Sequence, residues 1–161
     1  MIHKQDPLLK GMQIHGVHPV KFGGSPTEVS NKIPLTPKEH AQYTTREVLQ
    51  RTEQGLNIEF PLDYRLFIEE FNGAEGEIGP NSYVVFCSLI DIIELNEACG
   101  VNEFAPGLVL IGSDGGDAAY AFDNRDDLKA IVEVPFIGME LDEVKTCANT
   151  FLEFLEFLYK L

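Results

Sequence analysis

The stretch Phe60-Pro61-Leu62-Asp63-Tyr64-Arg65-Leu66-Phe67-Ile68-Glu69-Glu70-Phe71-Asn72-Gly73 reads as one complete helix with its start and stop attached. Pro61 suits the first helical turn, because its ring fixes φ near the helical value and an N–H there would have no partner to lose. Tyr64, Phe67, Ile68 and Phe71 recur at spacings of three, one and three, which places them on one face. Asp63 sits in the first turn, where the helix dipole favours an anion. Asn72 and Gly73 both tolerate the left-handed conformation that closes a helix. Three rings and an isoleucine on one side must be buried, so the core is expected to lie against this face.

Working outward, Thr36-Pro37-Lys38-Glu39 carries three helix-start signals: a capping threonine, a proline at the first position and a glutamate completing a capping box. Ala41, Thr45, Val48, Leu49 and Thr52 then share a face, and Gly55 is expected to end the helix. On the other side, residues 74–81 hold Gly76, Gly79 and Pro80 with Glu75 and Glu77, and read as an exposed loop. Tyr83-Val84-Val85-Phe86-Cys87 reads as a buried strand. Ser88 with Asp91 predicts another capped helix through Ile92, Ile93, Leu95 and Ala98, closed by Gly100. Leu108-Val109-Leu110-Ile111 is a strand-length apolar run. Residues 112–117 predict a tight turn into a second strand, Ala118 to Asp123, with Tyr120 and Phe122 on one face. A polar turn follows, then a strand from Ala130 to Phe136. Asn149 or Thr150 caps a last helix whose phenylalanines and leucines cover more than half its circumference, so it should be buried on two sides or carry an interface. The expected fold is α+β: a single domain over residues 36–161, with a largely antiparallel sheet of about five strands flanked by helices. Residues 1–35 are expected to form an irregular N-terminal extension.

The order of these pieces resembles the SUKH superfamily, which contains bacterial immunity proteins of polymorphic toxin systems and relatives of a yeast cell-wall regulator. The resemblance rests on Pro61, Tyr64, Phe67, Asn72 and Gly73 in the central helix, which follows a capped helix ending in Gly55-Leu56. It continues in the strand before Ser88, the Ser88-capped helix with Asn96 near its end, and Ile111-Gly112-Ser113-Asp114 followed by Gly115 and Gly116. The aromatic strand ending at Asp123 and the closing Thr150-Phe151-x-x-Phe154-Leu155 complete it. Phe60 stands where the family more often has leucine. The resemblance covers residues 36–161 and implies a SUKH-like α+β fold and a protein-binding function.

Charge narrows the partner. Residues 1–38 carry five lysines against Asp6 and Glu28, net +3. Residues 39–161 carry seven basic and 24 acidic side chains, net −17, within a total of −14. A field that negative repels DNA and RNA and attracts a basic protein. No apolar run approaches the roughly 20 residues of a membrane span, and no apolar block follows Lys4 as a signal peptide requires, so a cytoplasmic protein is expected. Cys87, Cys99 and Cys147 are odd in number and widely spaced, which fits buried thiols and neither a disulfide framework nor a zinc knuckle.

Catalytic patterns are missing. The loop 112–117 lacks the Lys-Ser/Thr of a phosphate-binding loop, and Asp114 and Asp117 would repel a phosphate. Calcium-loop spacing is absent too. His15 and His18 stand close together with no carboxylate or cysteine beside them, a poor metal set. Asp123, Asp126 and Asp127 read as a solvated turn. No Gly-x-Ser-x-Gly elbow occurs, and a catalytic cysteine would need a histidine from the N-terminal segment. A hydrolase using Ser113 or Asp114 would require a cleft uniting them with a histidine. The expectation is therefore a non-enzymatic protein without metal or cofactor. The resemblance implies an immunity protein that neutralises a cognate toxin by stoichiometric binding. The charge makes that toxin basic and nuclease-like, held through Glu75, Glu77, Asp114, Asp117 and Asp123. The alternative is a cytosolic regulatory or scaffold module akin to the yeast regulator. The motifs fix neither the binding face nor the oligomeric state.

Overall fold

The aromatic helix is buried as its spacing requires. The structure, a computed structural model, describes residues 46–161. In it the central helix, α2, runs Leu62–Phe71, following α1 at Arg46–Leu56. Tyr64, Phe67 and Ile68 are fully buried and Phe71 nearly so. Pro61 falls one place before the first helical residue, in extended backbone, and its carbonyl accepts the first helical N–H, from Arg65. Asn72 closes the helix in the left-handed region, φ 46° and ψ 51°, as expected. Its side chain does a second job: Oδ1 accepts from the Leu89 N–H at 3.1 Å and so ties the end of α2 to the start of α3, Leu89–Ala98.

The expected N-terminal extension, the helix start at Thr36 and the pair His15 and His18 lie outside the described residues. Gly55 does not end α1. Asn57 does, at φ 52°, while a side chain at Gly55 would meet Ile93 Cδ1 at 3.3 Å, so this glycine lets α1 approach α3.

Six strands form one antiparallel sheet in the order β1-β2-β3-β4-β5-β6. They are β1 Ala74–Ile78, β2 Ser82–Phe86, β3 Leu108–Ser113, β4 Ala118–Asp123, β5 Ile131–Pro135 and β6 Lys145–Ala148. Residues 74–81 are thus not the exposed loop their glycines and glutamates suggest. Ala74, Gly76 and Ile78 point into the core while Glu75 and Glu77 alternate outward, the period of a strand with one wet face. Gly112 belongs to β3, not to the turn: a Cβ there would lie 2.2 Å from the Val85 carbonyl oxygen, so only glycine fits the ladder at that point.

Between β2 and β3 the chain makes α3 and a short helix α4, Val101–Phe104. This detour leaves β2 paired to β3 through Val85–Ser113 and Phe86–Gly112, with the Cys87 N–H donating to the Ile111 carbonyl at 2.9 Å just beyond. Past Ile111, Leu110 pairs with Ala121 of β4 on one side and finds its partner on the β2 side in a side chain. The Asn96 amide donates to the Leu110 carbonyl and accepts from its N–H, both at 2.9 Å, imitating a strand residue. Ser88 caps α3 as predicted, with Asp91 reciprocating.

The last helix, α5, Phe151–Lys160, is capped by Thr150. It lies beside α2, and the two helices and the sheet enclose a continuous aromatic cluster. Phe151 packs on Tyr64, Phe67 and Phe86 with ring centroids 4.9–5.4 Å apart, and Tyr120 meets Phe154 edge-on at 4.8 Å. Phe122 closes the far side against Tyr64 at 5.1 Å. Such contacts add roughly 0.5–1.5 kcal/mol each beyond burial. At the start of α5, Asp63 Oδ2 accepts from the Leu152 N–H at 3.1 Å, so one carboxylate serves the first turns of both helices. Among the described residues no helix is long and apolar enough to cross a membrane.

Candidate partner-binding surface

In an antiparallel meander the connections alternate between the two ends of the sheet. The β1–β2, β3–β4 and β5–β6 connections therefore share one end, here called the hairpin end, while the β2–β3 and β4–β5 connections share the other. Four of the five carboxylates singled out from the sequence fall on or beside the hairpin end. Asp123 does not.

Glu75 and Glu77 project from β1 away from the aromatic core. Glu77 is directly opposite Tyr83 on β2, and Glu75 is diagonal to it. Tyr83 is 40% exposed and donates its hydroxyl proton to Glu75 Oε1 at 2.5 Å. That bond, helped by partial burial and by the charges of Glu75 and Glu77, pushes the phenol up to about 12. The β3–β4 turn leans on the same ring: a Cβ added to Gly115, at φ 81°, would come within 2.8 Å of Tyr83 Cδ1. Tyr83 thus joins the β1 carboxylates to the turn that bears Asp114 and Asp117.

The turn matches its expected form. Asp114 Oδ1 accepts from the N–H groups of Gly116 and Ala118 at 2.7 and 3.1 Å, and its own N–H donates to the Ala118 carbonyl at 3.0 Å. The Asp117 carbonyl accepts from the Phe136 N–H at 2.9 Å, which fixes the turn to the β5–β6 connection. That connection carries Glu140, Asp142 and Glu143 and exposes Ile137 almost completely, 87%. Tyr83 is thus not buried as the apolar run of residues 83–87 suggests, and Ile137 and these three acids are not among the carboxylates and motifs that the sequence singles out.

Asp123 sits at the opposite end of β4, about 20 Å from Asp117 at the rise of a strand. It is committed locally. Arg125 binds it through Nε at 2.8 Å and Nη2 at 2.6 Å, and the Arg125 N–H adds a third bond at 3.1 Å. These bonds hold the carboxyl below its usual range, against a smaller opposing effect of burial. Nearby, Asp126 accepts from the N–H groups of Leu128 and Lys129, as a solvated turn does.

Catalytic readings gain nothing from the geometry. Ser113 is buried, and its Oγ accepts from the Gly115 N–H at 3.2 Å. All four histidines lie at or before residue 40, outside the described part. Among the described residues no group of three or more His, Cys, Asp or Glu side chains is placed to hold a metal ion. A polar cleft of about 420 Å³ lies between α1 and residues 57–59. Its Glu53 is already engaged by the Phe60 N–H at 2.8 Å and by Arg65 at 2.8 Å.

The model of the SMI1 / KNR4 family (SUKH-1) matches residues 43–156, more than two thirds of the chain. No curated protein is similar enough to match it.

Proposed function

The chain belongs to the SMI1 / KNR4 family (SUKH-1), and from that membership we propose that it is a non-enzymatic protein-binding domain, an immunity protein that neutralises a basic, nuclease-like toxin in the cytoplasm. Binding is stoichiometric and occludes the toxin's substrate groove. The hairpin end of the sheet makes the contact, through Glu75, Glu77, Asp114 and Asp117, joined by Glu140, Asp142 and Glu143. Asp123 contributes only to the general field, because Arg125 neutralises it where it stands.

One observation carries this reading. Glu75, Glu77, Asp114, Asp117, Glu140, Asp142 and Glu143 lie on or beside one end of the sheet, and two lysines close to them already form ion pairs. Lys145 faces Glu133 at 4.0 Å and Lys160 faces Glu156 at 3.6 Å. Complementary charge of this kind steers encounter and fixes register, with the affinity coming from desolvated contacts at the centre. The exposed Tyr83 and Ile137 supply apolar area within the acidic surround.

The test begins with capture of the partner from the native cell by the tagged full-length chain, followed by mass spectrometry. The captured protein is then assayed with increasing amounts of the chain. Loss of its activity at one equivalent supports the immunity reading. Binding with activity unchanged would replace it with the scaffold reading.

A further inference from the structure

Tyr83 is an exposed ring held in a fixed position on the outer face of β1 and β2. Its neighbours Val84, Val85 and Phe86 are all buried, so the ring is the one large apolar group that β2 presents to solvent. Two contacts immobilise it: the hydroxyl bond to Glu75 and the backbone of Gly115 against one edge. An aromatic side chain fixed before binding loses little conformational freedom on binding. Because the phenol ionises only near 12, the hydroxyl stays a donor to Glu75 at physiological pH. Donation to a carboxylate leaves the ring electron-rich, and the carboxylate of Glu77 lies directly across the ladder from it.

We propose that Tyr83 selects the partner's side chain at the centre of the acidic face, and that it reads an arginine. The guanidinium stacks on the exposed face of the ring while its N–H fork meets Glu77. This inference rests on the partner-binding reading above and adds to it the chemistry of the contact. Arginine fits better than lysine for two reasons. Its planar, weakly hydrated cation can stack on a ring and still present a flat edge to a carboxylate. An ammonium is a compact, strongly hydrated charge that gains mainly from the surrounding field, and that field does not distinguish the two cations. The proposal thus separates a nonspecific attraction, owed to the net charge, from a selective contact owed to one residue.

The experiment titrates hexa-arginine and hexa-lysine peptides into the full-length chain at low salt, reading both the affinity and the Tyr83 ring resonances by NMR. The wild type should bind hexa-arginine about two- to fivefold more tightly than hexa-lysine, the range of an exposed cation–π contact, with the Tyr83 resonances shifting. Tyr83→Leu should abolish that preference and leave hexa-lysine binding unchanged. Tyr83→Phe keeps the ring and loses its bond to Glu75, so it should keep a smaller but measurable preference, which guards against reading a folding defect as a lost contact. Equal affinities for the two peptides in the wild type, or a preference that survives Tyr83→Leu, would overturn the proposal and leave the acidic-surface reading standing. Loss of the preference in Tyr83→Phe would also overturn it, since the hydroxyl and not the ring would then be the determinant. If neither peptide binds, the acidic-surface reading fails along with it.

Discussion

The two ends of the sheet handle negative charge in opposite ways. At the end that carries Asp123, three acids are matched by arginines within the fold. Arg125 grips Asp123, and Arg65 binds Glu53 at 2.8 Å and Glu59 at 3.4 Å. Asn124 fastens the α1–α2 connection to this end through the Asn57 carbonyl at 2.9 Å. At the hairpin end, Asp114 organises its own turn, and Glu77, Asp117, Glu140, Asp142 and Glu143 are spread along the same end of the sheet, while Lys145 and Lys160 pair with Glu133 and Glu156. One end spends its polar groups on holding helices to the sheet. The other accumulates like charge, which costs stability and is expected where a partner of opposite sign completes the surface.

If the matched end is structural, breaking it should cost the most stability. Asn96→Leu removes both partners of the Leu110 backbone from a buried site, and should destabilise the chain by about 2–4 kcal/mol in urea unfolding. A loss under 0.5 kcal/mol would mean that the β2–β3 junction does not depend on that amide. If the hairpin end is functional, Glu77→Lys combined with Asp117→Lys should do the reverse. Unfolding should move by no more than about 0.5 kcal/mol, whereas affinity for the basic partner should fall about tenfold or more, equivalent to roughly 1.4 kcal/mol. Equal stability losses at the two ends would erase the distinction.

Smaller effects sharpen it. Tyr64 is fully buried with no partner for its hydroxyl among the described residues. Tyr64→Phe should therefore leave stability unchanged or raise it by about 1 kcal/mol. Asp123→Asn should cost up to about 1 kcal/mol, as a partly exposed ion pair does. Because Arg125 lowers the Asp123 pKa in the folded state, that contribution is present above the ordinary carboxylate value, near 3.8, and is lost as pH falls through the lowered one. Wild type and Asp123→Asn should accordingly converge in stability on acidification. At the other extreme of pH, Tyr83 is raised, so its bond to Glu75 contributes fully below the ordinary phenol value of 10 and is lost as pH rises through about 12. Ultraviolet titration should show one tyrosine ionising near 12, moving toward 10 in Glu75→Gln.

Most of the fold was legible because its strongest signals are local. The aromatic stripe of residues 64–71, the Ser88 and Thr150 caps and the Asn72 stop each act within one turn of chain. The strands at the two edges were hidden. In β1, Glu75, Gly76 and Glu77 lower the apolar content below what a strand search expects, although the inward set Ala74, Gly76 and Ile78 has the right period. β6, Lys145–Ala148, is short and half-polar, because an edge strand pairs on one side only. The proposed binding surface was half legible. Acidic residues are visible in a sequence, but which end of a sheet they occupy depends on the number of strands, and one missed strand reverses the alternation. Tyr83 was hidden because Tyr-Val-Val-Phe-Cys reads as apolar on both faces. Only the pairing with Glu75 and Glu77 reveals that one face is wet.

Charge at the hairpin end is what is proposed to hold a basic partner. The most direct test is the affinity of the captured partner for the chain as salt is raised, measured for the wild type and for the Glu77→Lys, Asp117→Lys double variant. Affinity should fall steeply for the wild type and much less for the variant. An affinity that does not change with salt, or equal slopes for the two proteins, would contradict it.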